Sequence, residues 1–155
     1  MNIREAAVSH LATRSRTCGE MRMYLLKKGF DEAEIEKTVS ELKELNYLND
    51  LEYVIAYLNY GFTKGKGIKL IKYELSDLDV DRDTIEDGIA VYEEEYGISI
   101  EEEETERAFK EAMKVAGDSE IDDKIKARAA RRLSSKGYGS ETVFRVLEML
   151  GKQDI

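Results

Sequence analysis

Thr17-Cys18-Gly19-Glu20-Met21-Arg22-Met23-Tyr24-Leu25-Leu26-Lys27-Lys28-Gly29-Phe30-Asp31-Glu32-Ala33-Glu34 holds a helix start, a helix stop and a second start in one unbroken run. Thr17 with Glu20 three residues on is a capping box, because each side chain can satisfy a backbone N–H that the first turn leaves free. Met21, Tyr24 and Leu25 then share a helix face. Lys27 and Lys28 suit the negative end of the helix, and Gly29 suits the left-handed position just beyond it. Asp31 is expected to cap the next helix with Glu34 in the box position, and Ile35, Val39 and Leu42 follow at helical spacing, with Thr38 and Leu45 on adjoining faces. Upstream, Ile3 to Ala12 reads as a shorter helix, which makes three helices in this part of the chain.

The pattern returns twice. A shift of 50 residues sets Leu25 on Leu75, Phe30 on Val80, Asp31 on Asp81, Ile35 on Ile85 and Val39 on Ile89. The helices before that turn are expected over Asp50 to Phe62 and Gly67 to Leu75. A shift of 108 residues sets Leu25 on Leu133, Lys28-Gly29-Phe30 on Lys136-Gly137-Tyr138, Ile35 on Val143, Val39 on Leu147 and Leu42 on Leu150. The middle copy has Asp79 where the turn calls for glycine. Tandem units of this length bury their faces partly against each other. The reading is an all-α fold of three tandem three-helix repeats, at 1–49, 50–97 and 98–155. Tyr96-Gly97-Ile98-Ser99-Ile100 is the break before the third, where Glu101 to Ala116 should form a helix with Phe109, Ala112, Met113 and Ala116 inward. Asp118 or Ser119 is expected to open the next helix, running to about Ser134.

Composition fits such layers. Charged residues make up 37% of the 155-residue chain, well above the roughly 25% of an average domain, as thin helical layers with much solvent-facing surface require. There is no proline to interrupt a helix. No apolar run approaches the roughly 18 residues of a membrane span, and Met1 to Ala7 lacks a signal-peptide core. One cysteine, Cys18, excludes an intrachain disulfide, so a reducing, cytoplasmic setting is expected. The net charge of −9 argues against bulk attraction to DNA or anionic membrane.

Most motif-like features dissolve on inspection. His10 and Cys18 are the only histidine and cysteine, and no third group orients them; a helix N-terminus would lower the Cys18 pKa. Asp77, Asp79, Asp81 and Asp83 alternate like a calcium loop, but that loop needs glycine sixth and glutamate twelfth, where Arg82 and Gly88 stand; Asp81 reads instead as an N-cap. Gly61-Phe62-Thr63-Lys64-Gly65-Lys66-Gly67 lacks the spacing and the Lys-Ser/Thr of a phosphate loop. Metal-ligand spacing of His and Cys is absent. Glu93 to Glu95 and Glu101 to Glu104 read as solvated helix ends.

Two basic stretches remain. Lys64, Lys66, Lys69 and Lys72 surround a glycine-containing loop, with Lys69 and Lys72 on one helix face. Arg128, Arg131, Arg132 and Lys136 lie in a stretch from Lys124 to Lys136 without an acidic residue, and the arginines fall at i, i+3, i+4. Against an acidic background, such faces point to an acidic protein or to phosphates.

Tyr47-Leu48-Asn49-Asp50-Leu51-Glu52-Tyr53-Val54-Ile55-Ala56-Tyr57 resembles the motif that opens the middle repeat of the RecX family, with Val54 and Ile55 intervening before Ala56. Lys64-Gly65-Lys66-Gly67-Ile68-Lys69-Leu70-Ile71-Lys72-Tyr73-Glu74-Leu75 resembles the family's basic, glycine-containing loop and the helix after it. Arg14 to Met21 and Lys28 to Asp31 resemble its first repeat. The resemblance covers about residues 6 to 90, and 124 to 150 more loosely. It implies an elongated, curved, all-α array of three three-helix repeats that binds RecA in the groove of its filament on DNA. The implied role is to modulate recombinase and coprotease activity, in homologous recombination, DNA repair and the SOS response. It implies no catalysis, no cofactor and no metal. The eight candidate contacts are Lys64, Lys66, Lys69, Lys72, Arg128, Arg131, Arg132 and Lys136. The expected partner is the RecA filament, with a secondary DNA contact, no membrane, and the chain as a monomer; the alternative is a helical module that binds DNA directly. Ile68 replaces a frequent proline and Met21 a frequent leucine, and the acidic balance departs from the basic character of better-known members.

Overall fold

The computed structural model describes residues 1–152. Among them are nine α-helices and no strand: α1 (Ile3–Leu11), α2 (Cys18–Lys27), α3 (Glu32–Glu44), α4 (Asp50–Thr63), α5 (Ile68–Asp77), α6 (Arg82–Tyr96), α7 (Ile100–Ala116), α8 (Asp123–Ser135) and α9 (Ser140–Lys152). The chain forms two compact units. One takes Met1–Ala56 and Glu74–Ala90, the other Tyr57–Tyr73 and Val91–Ile155, so the three middle helices contribute residues to both.

Local chemistry sets the helix ends. Asn2 and Glu5 form a capping box at α1, and Thr17 and Glu20 form the expected one at α2. The Thr17 hydroxyl accepts from the Glu20 N–H at 3.0 Å and donates to the Leu78 carbonyl at 2.7 Å, so one buried oxygen serves a cap and a tertiary bond. Asp81 caps α6 by accepting from the Thr84 N–H at 2.8 Å. Asp31, in contrast, makes no side-chain cap bond at α3, although its backbone is extended as an N-cap requires. The start of α8 also differs from expectation. Gly117, at φ 53°, ends α7, and Asp122 rather than Asp118 or Ser119 accepts from the Ile125 N–H at 2.9 Å. Either candidate would begin a helix inside the turn that follows Gly117, whereas Asp122 lies beyond it.

The three aligned turns are one geometry used three times. Phe30 N–H donates to Leu25 O at 3.2 Å, Val80 N–H to Leu75 O at 3.1 Å, and Tyr138 N–H to Leu133 O at 3.0 Å. One residue earlier, Gly29 donates to Leu26, Asp79 to Ser76 and Gly137 to Ser134. These are the paired 6→1 and 5→2 bonds of a Schellman ending, which needs a left-handed residue at its centre. Gly29 and Gly137 supply it at φ 92° and 89°, and Asp79 adopts φ 65° in the glycine's place. Aspartate is among the few side chains that tolerate this region.

Burial follows the repeat register. Leu25, Leu75 and Leu133 are fully buried, as are Met21, Ile71 and Ala129 four residues earlier. Ile35, Ile85 and Val143 are buried, as are Leu42 and Leu150. In the first unit Ala6, Ala7, Met21, Leu25, Ile35, Val39, Leu42 and Leu48 form a common core. In the second, Ala108 and Ala112 of α7 meet Ala129 and Leu133 of α8 and Val143, Val146 and Leu150 of α9. Alanines on α7 allow close helix approach, and each buried leucine contributes about 1.5–3 kcal/mol by leaving water. Phe109 and Met113 pack at the edge of this core.

A candidate partner-binding surface

The two basic stretches are brought together in the second unit, and backbone hydrogen bonds do it. The turn between α4 and α5 tightens at Gly65, φ 78°, through Gly65 N–H to Phe62 O at 3.0 Å and Lys66 N–H to Gly61 O at 2.9 Å. The Gly67 N–H then donates to Lys136 O at 2.7 Å, at the end of α8. Lys136 reciprocates with its ammonium on Lys64 O at 3.0 Å. The Tyr138 hydroxyl donates to Gly65 O at 2.9 Å, and burial pushes this phenol up to about 12. The loop carbonyls at residues 64 and 65 therefore both have partners from the segment after α8. Gly137 packs against Leu70, and a Cβ there would strike the Leu70 backbone and side chain.

Behind the loop lies a carboxylate the sequence analysis did not single out. Glu111 of α7 is 1% exposed. Its Oε1 accepts from Arg132 Nε at 2.9 Å and pairs with the other guanidinium nitrogen at 2.8 Å, while its Oε2 lies 3.1 Å from the Lys114 ammonium. Burial pushes its pKa up, but the bonds from Lys114 and Arg132 outweigh this and leave it below the ordinary 4.5. The same carboxylate occupies the space a Cβ would need at Gly65. Its signal was its register, since residue 111 falls on the inward face with Ala108 and Ala112.

The eight candidate cations occupy three kinds of place. Lys64, Lys69, Arg128 and Arg131 are exposed. Lys66, Lys72 and Lys136 are half-buried, with Lys66 lying 5.8 Å from the Tyr57 ring centre and 5.5 Å from that of Tyr60. Arg132 is committed on one side to Glu111, although 43% of its side chain is exposed. The arginines therefore do not act alike, despite their common helix spacing: one neutralises an internal charge and two face outward.

The expectations for Cys18 and for the acidic runs also change. Cys18 sits at a helix start, yet its pKa is pushed up to about 11 by burial and by the Asp50 carboxylate, which also accepts the Cys18 N–H at 2.9 Å. Desolvation and a like charge outweigh the helix end here. His10 is half-buried and stacks on Tyr24 with ring centres 3.8 Å apart, its pKa lowered by burial and then by Arg16. Nor are the acidic runs all solvated helix ends: Glu93 accepts from the Ile100 N–H at 2.9 Å, and Glu104 from Ile68 at 3.4 Å. No three His, Cys, Asp or Glu side chains cluster to hold a metal among the described residues, and no helix there is long and apolar enough to cross a membrane.

Nine helices and repeated Schellman turns among the described residues define an all-α fold of three-helix units. Comparison with known proteins places it more closely. The family model described as RecX, first three-helix domain, matches residues 4–42, and that described as RecX, third three-helix domain, matches 101–147. The chain belongs to the RecX family of regulatory proteins. It is similar to the regulatory protein RecX of Clostridium botulinum strain Alaska E43, at 34% identity over 90% of this chain and 64% of that protein. Against its Vibrio parahaemolyticus counterpart the values are 29%, 92% and 88%. A Bacillus pumilus RecX is 28% identical over 93% of this chain, which spans 53% of that relative's length. The crystal structure of RecX from Lactobacillus salivarius shares the fold, with a TM-score of 0.77 at 23% identity over 97% of this chain and 95% of that one.

Proposed function

We propose that this chain is a non-enzymatic regulator that binds RecA, seated in the groove of the RecA–DNA filament, and modulates its recombinase and coprotease activity. Family membership supports the regulatory role. The observation that carries the binding surface is the joining of two basic segments, Lys64 to Lys72 and Arg128 to Lys136, within one compact unit of a chain whose net charge is −9. A local cationic face on an acidic protein gives orientation and selectivity without general attraction to polyanions. Repeated weak contacts along neighbouring filament subunits would raise affinity by effective concentration.

Arg128 and Arg131 are the side chains to test, because Arg132 and Lys136 also hold the fold. Co-sedimentation of Arg128→Glu/Arg131→Glu with RecA–DNA filaments, across a salt series, should show weaker binding and a flatter salt dependence than the parent chain. Unchanged binding would overturn this assignment of the surface. A parallel arm on bare duplex DNA addresses the direct DNA-binding alternative, which requires strong binding without RecA and a steep loss with salt.

A further inference from the structure

The last turns of α4 and the loop after it place aromatic rings and ammonium groups in one cluster. Tyr57 and Tyr60 lie with ring centres 5.8 Å apart at 55°. Lys64 Nζ stands 5.8 Å from the Tyr60 ring centre, and Lys66 Nζ reaches both rings, at 5.8 Å and 5.5 Å. Tyr60 is 50% exposed, so this aromatic surface is not absorbed into the core. Fixed backbone supports the lysines: Lys64 O is held by Lys136, Gly65 O by Tyr138, and Gly67 N–H by Lys136 O.

We propose that Tyr57, Tyr60, Lys64 and Lys66 form a stacking site for single-stranded nucleic acid, distinct in chemistry from the arginine face of α8. An unpaired base has an aromatic face that stacks on tyrosine whatever its identity, and the phosphate beside it needs a nearby cation; aromatic and basic groups interleaved in this way are how sequence-tolerant single-strand sites are built. Duplex DNA offers no free base face to the same rings. The negative balance of the whole chain keeps the phosphate contribution small, so stacking carries most of the affinity. With two lysines the salt slope for a single strand is about −1.4, at about 0.7 for each phosphate neutralised.

The test is fluorescence anisotropy with labelled oligo(dT), oligo(rU) and a duplex of equal length, without RecA, so that its outcome is separate from that of the RecA-binding proposal. The intact chain should bind both single strands in preference to duplex, with the shallow slope above. Tyr60→Ala should weaken single-strand binding by about 5- to 150-fold, the loss that removing one stacked base produces, and leave the slope unchanged. Tyr60→Phe, which keeps the ring, should bind within about twofold of the parent, by the same stacking argument. Lys64→Gln should lower the slope by about 0.7. Equal loss in Tyr60→Phe and Tyr60→Ala, preference for duplex, or no binding of either oligonucleotide at low salt would each overturn the proposal. Preference for oligo(dT) over oligo(rU) or the reverse identifies which single strand the site takes. Circular dichroism on each variant confirms retained helicity, which substitution at exposed Tyr60 should preserve.

Discussion

Glu111 and Arg132 form the internal ion pair of the second unit: one guanidinium meets one carboxylate oxygen at 2.9 and 2.8 Å, and the carboxylate is almost wholly removed from water. Removing a single partner from such a pair costs more than the pair itself contributes, because the remaining charge stays buried. Lys114 moderates that cost by holding the other carboxylate oxygen. Arg132→Ala should therefore lose about 1–3 kcal/mol in urea unfolding, while Arg128→Ala and Arg131→Ala, both exposed, should stay within about 0.5 kcal/mol of the parent. If all three alanine variants unfold alike, the pair does not support the unit.

The same pair fixes a pH dependence. Because the folded Glu111 pKa lies below the ordinary 4.5, the unfolded chain takes up the proton at a higher pH than the folded chain does. The stabilisation is fully present above about pH 4.5 and is lost as pH falls through the folded value. The difference in unfolding midpoint between the parent chain and Glu111→Gln should be largest at neutral pH and shrink on acidification to pH ~3. A difference constant across that range would contradict the assignment.

Two glycines separate backbone strain from crowding. Gly29, at φ 92°, has open space where a Cβ would go, whereas Gly65, at φ 78°, has the Glu111 carboxylate there. Gly29→Ala should cost about 1–2 kcal/mol for the left-handed backbone alone. Gly65→Ala should cost clearly more and, by displacing Glu111, should also weaken the Arg132 contact. Thermal unfolding of the two variants side by side decides this; equal losses would mean that Glu111 leaves the turn unconstrained.

Cys18 should be chemically quiet while the chain is folded. With its pKa near 11 and its side chain buried, only about one molecule in a thousand carries a thiolate at pH ~8, against about one in four for an ordinary cysteine thiol. A disulfide reagent at that pH should react slowly until denaturant is added, then at the rate of an ordinary thiol. Rapid labelling of the folded chain would show that Cys18 is more open than its surroundings imply.

Much of the fold was legible because it rests on short-range chemistry. The Thr17–Glu20 box, the Gly29 and Gly137 turns and the burial of Leu25, Leu75 and Leu133 each follow from residues within a few positions of one another. Asp79 was legible only in part. Its place in the repeat marked a turn, but nothing local says that aspartate, rather than a rearranged loop, will meet the left-handed requirement. Asp31 shows the converse, since the right residue at the right position made no cap bond. The candidate surface was harder still. Lys64 to Lys72 and Arg128 to Lys136 could each be seen as basic, but their union depends on hydrogen bonds between distant backbone groups that side-chain identity does not encode. The division of labour between Arg131 and Arg132 depends on Glu111, whose burial becomes visible only when α7 and α8 are packed.

The bond from Gly67 N–H to Lys136 O, at 2.7 Å, gives the molecule a built-in reporter. An amide donated within a helix exchanges its hydrogen with solvent when that helix frays. This one exchanges only when the end of α8 releases the loop. The protection of a single amide, followed in deuterated solvent with and without a partner, therefore reports the free energy of opening the junction that holds the two basic segments together.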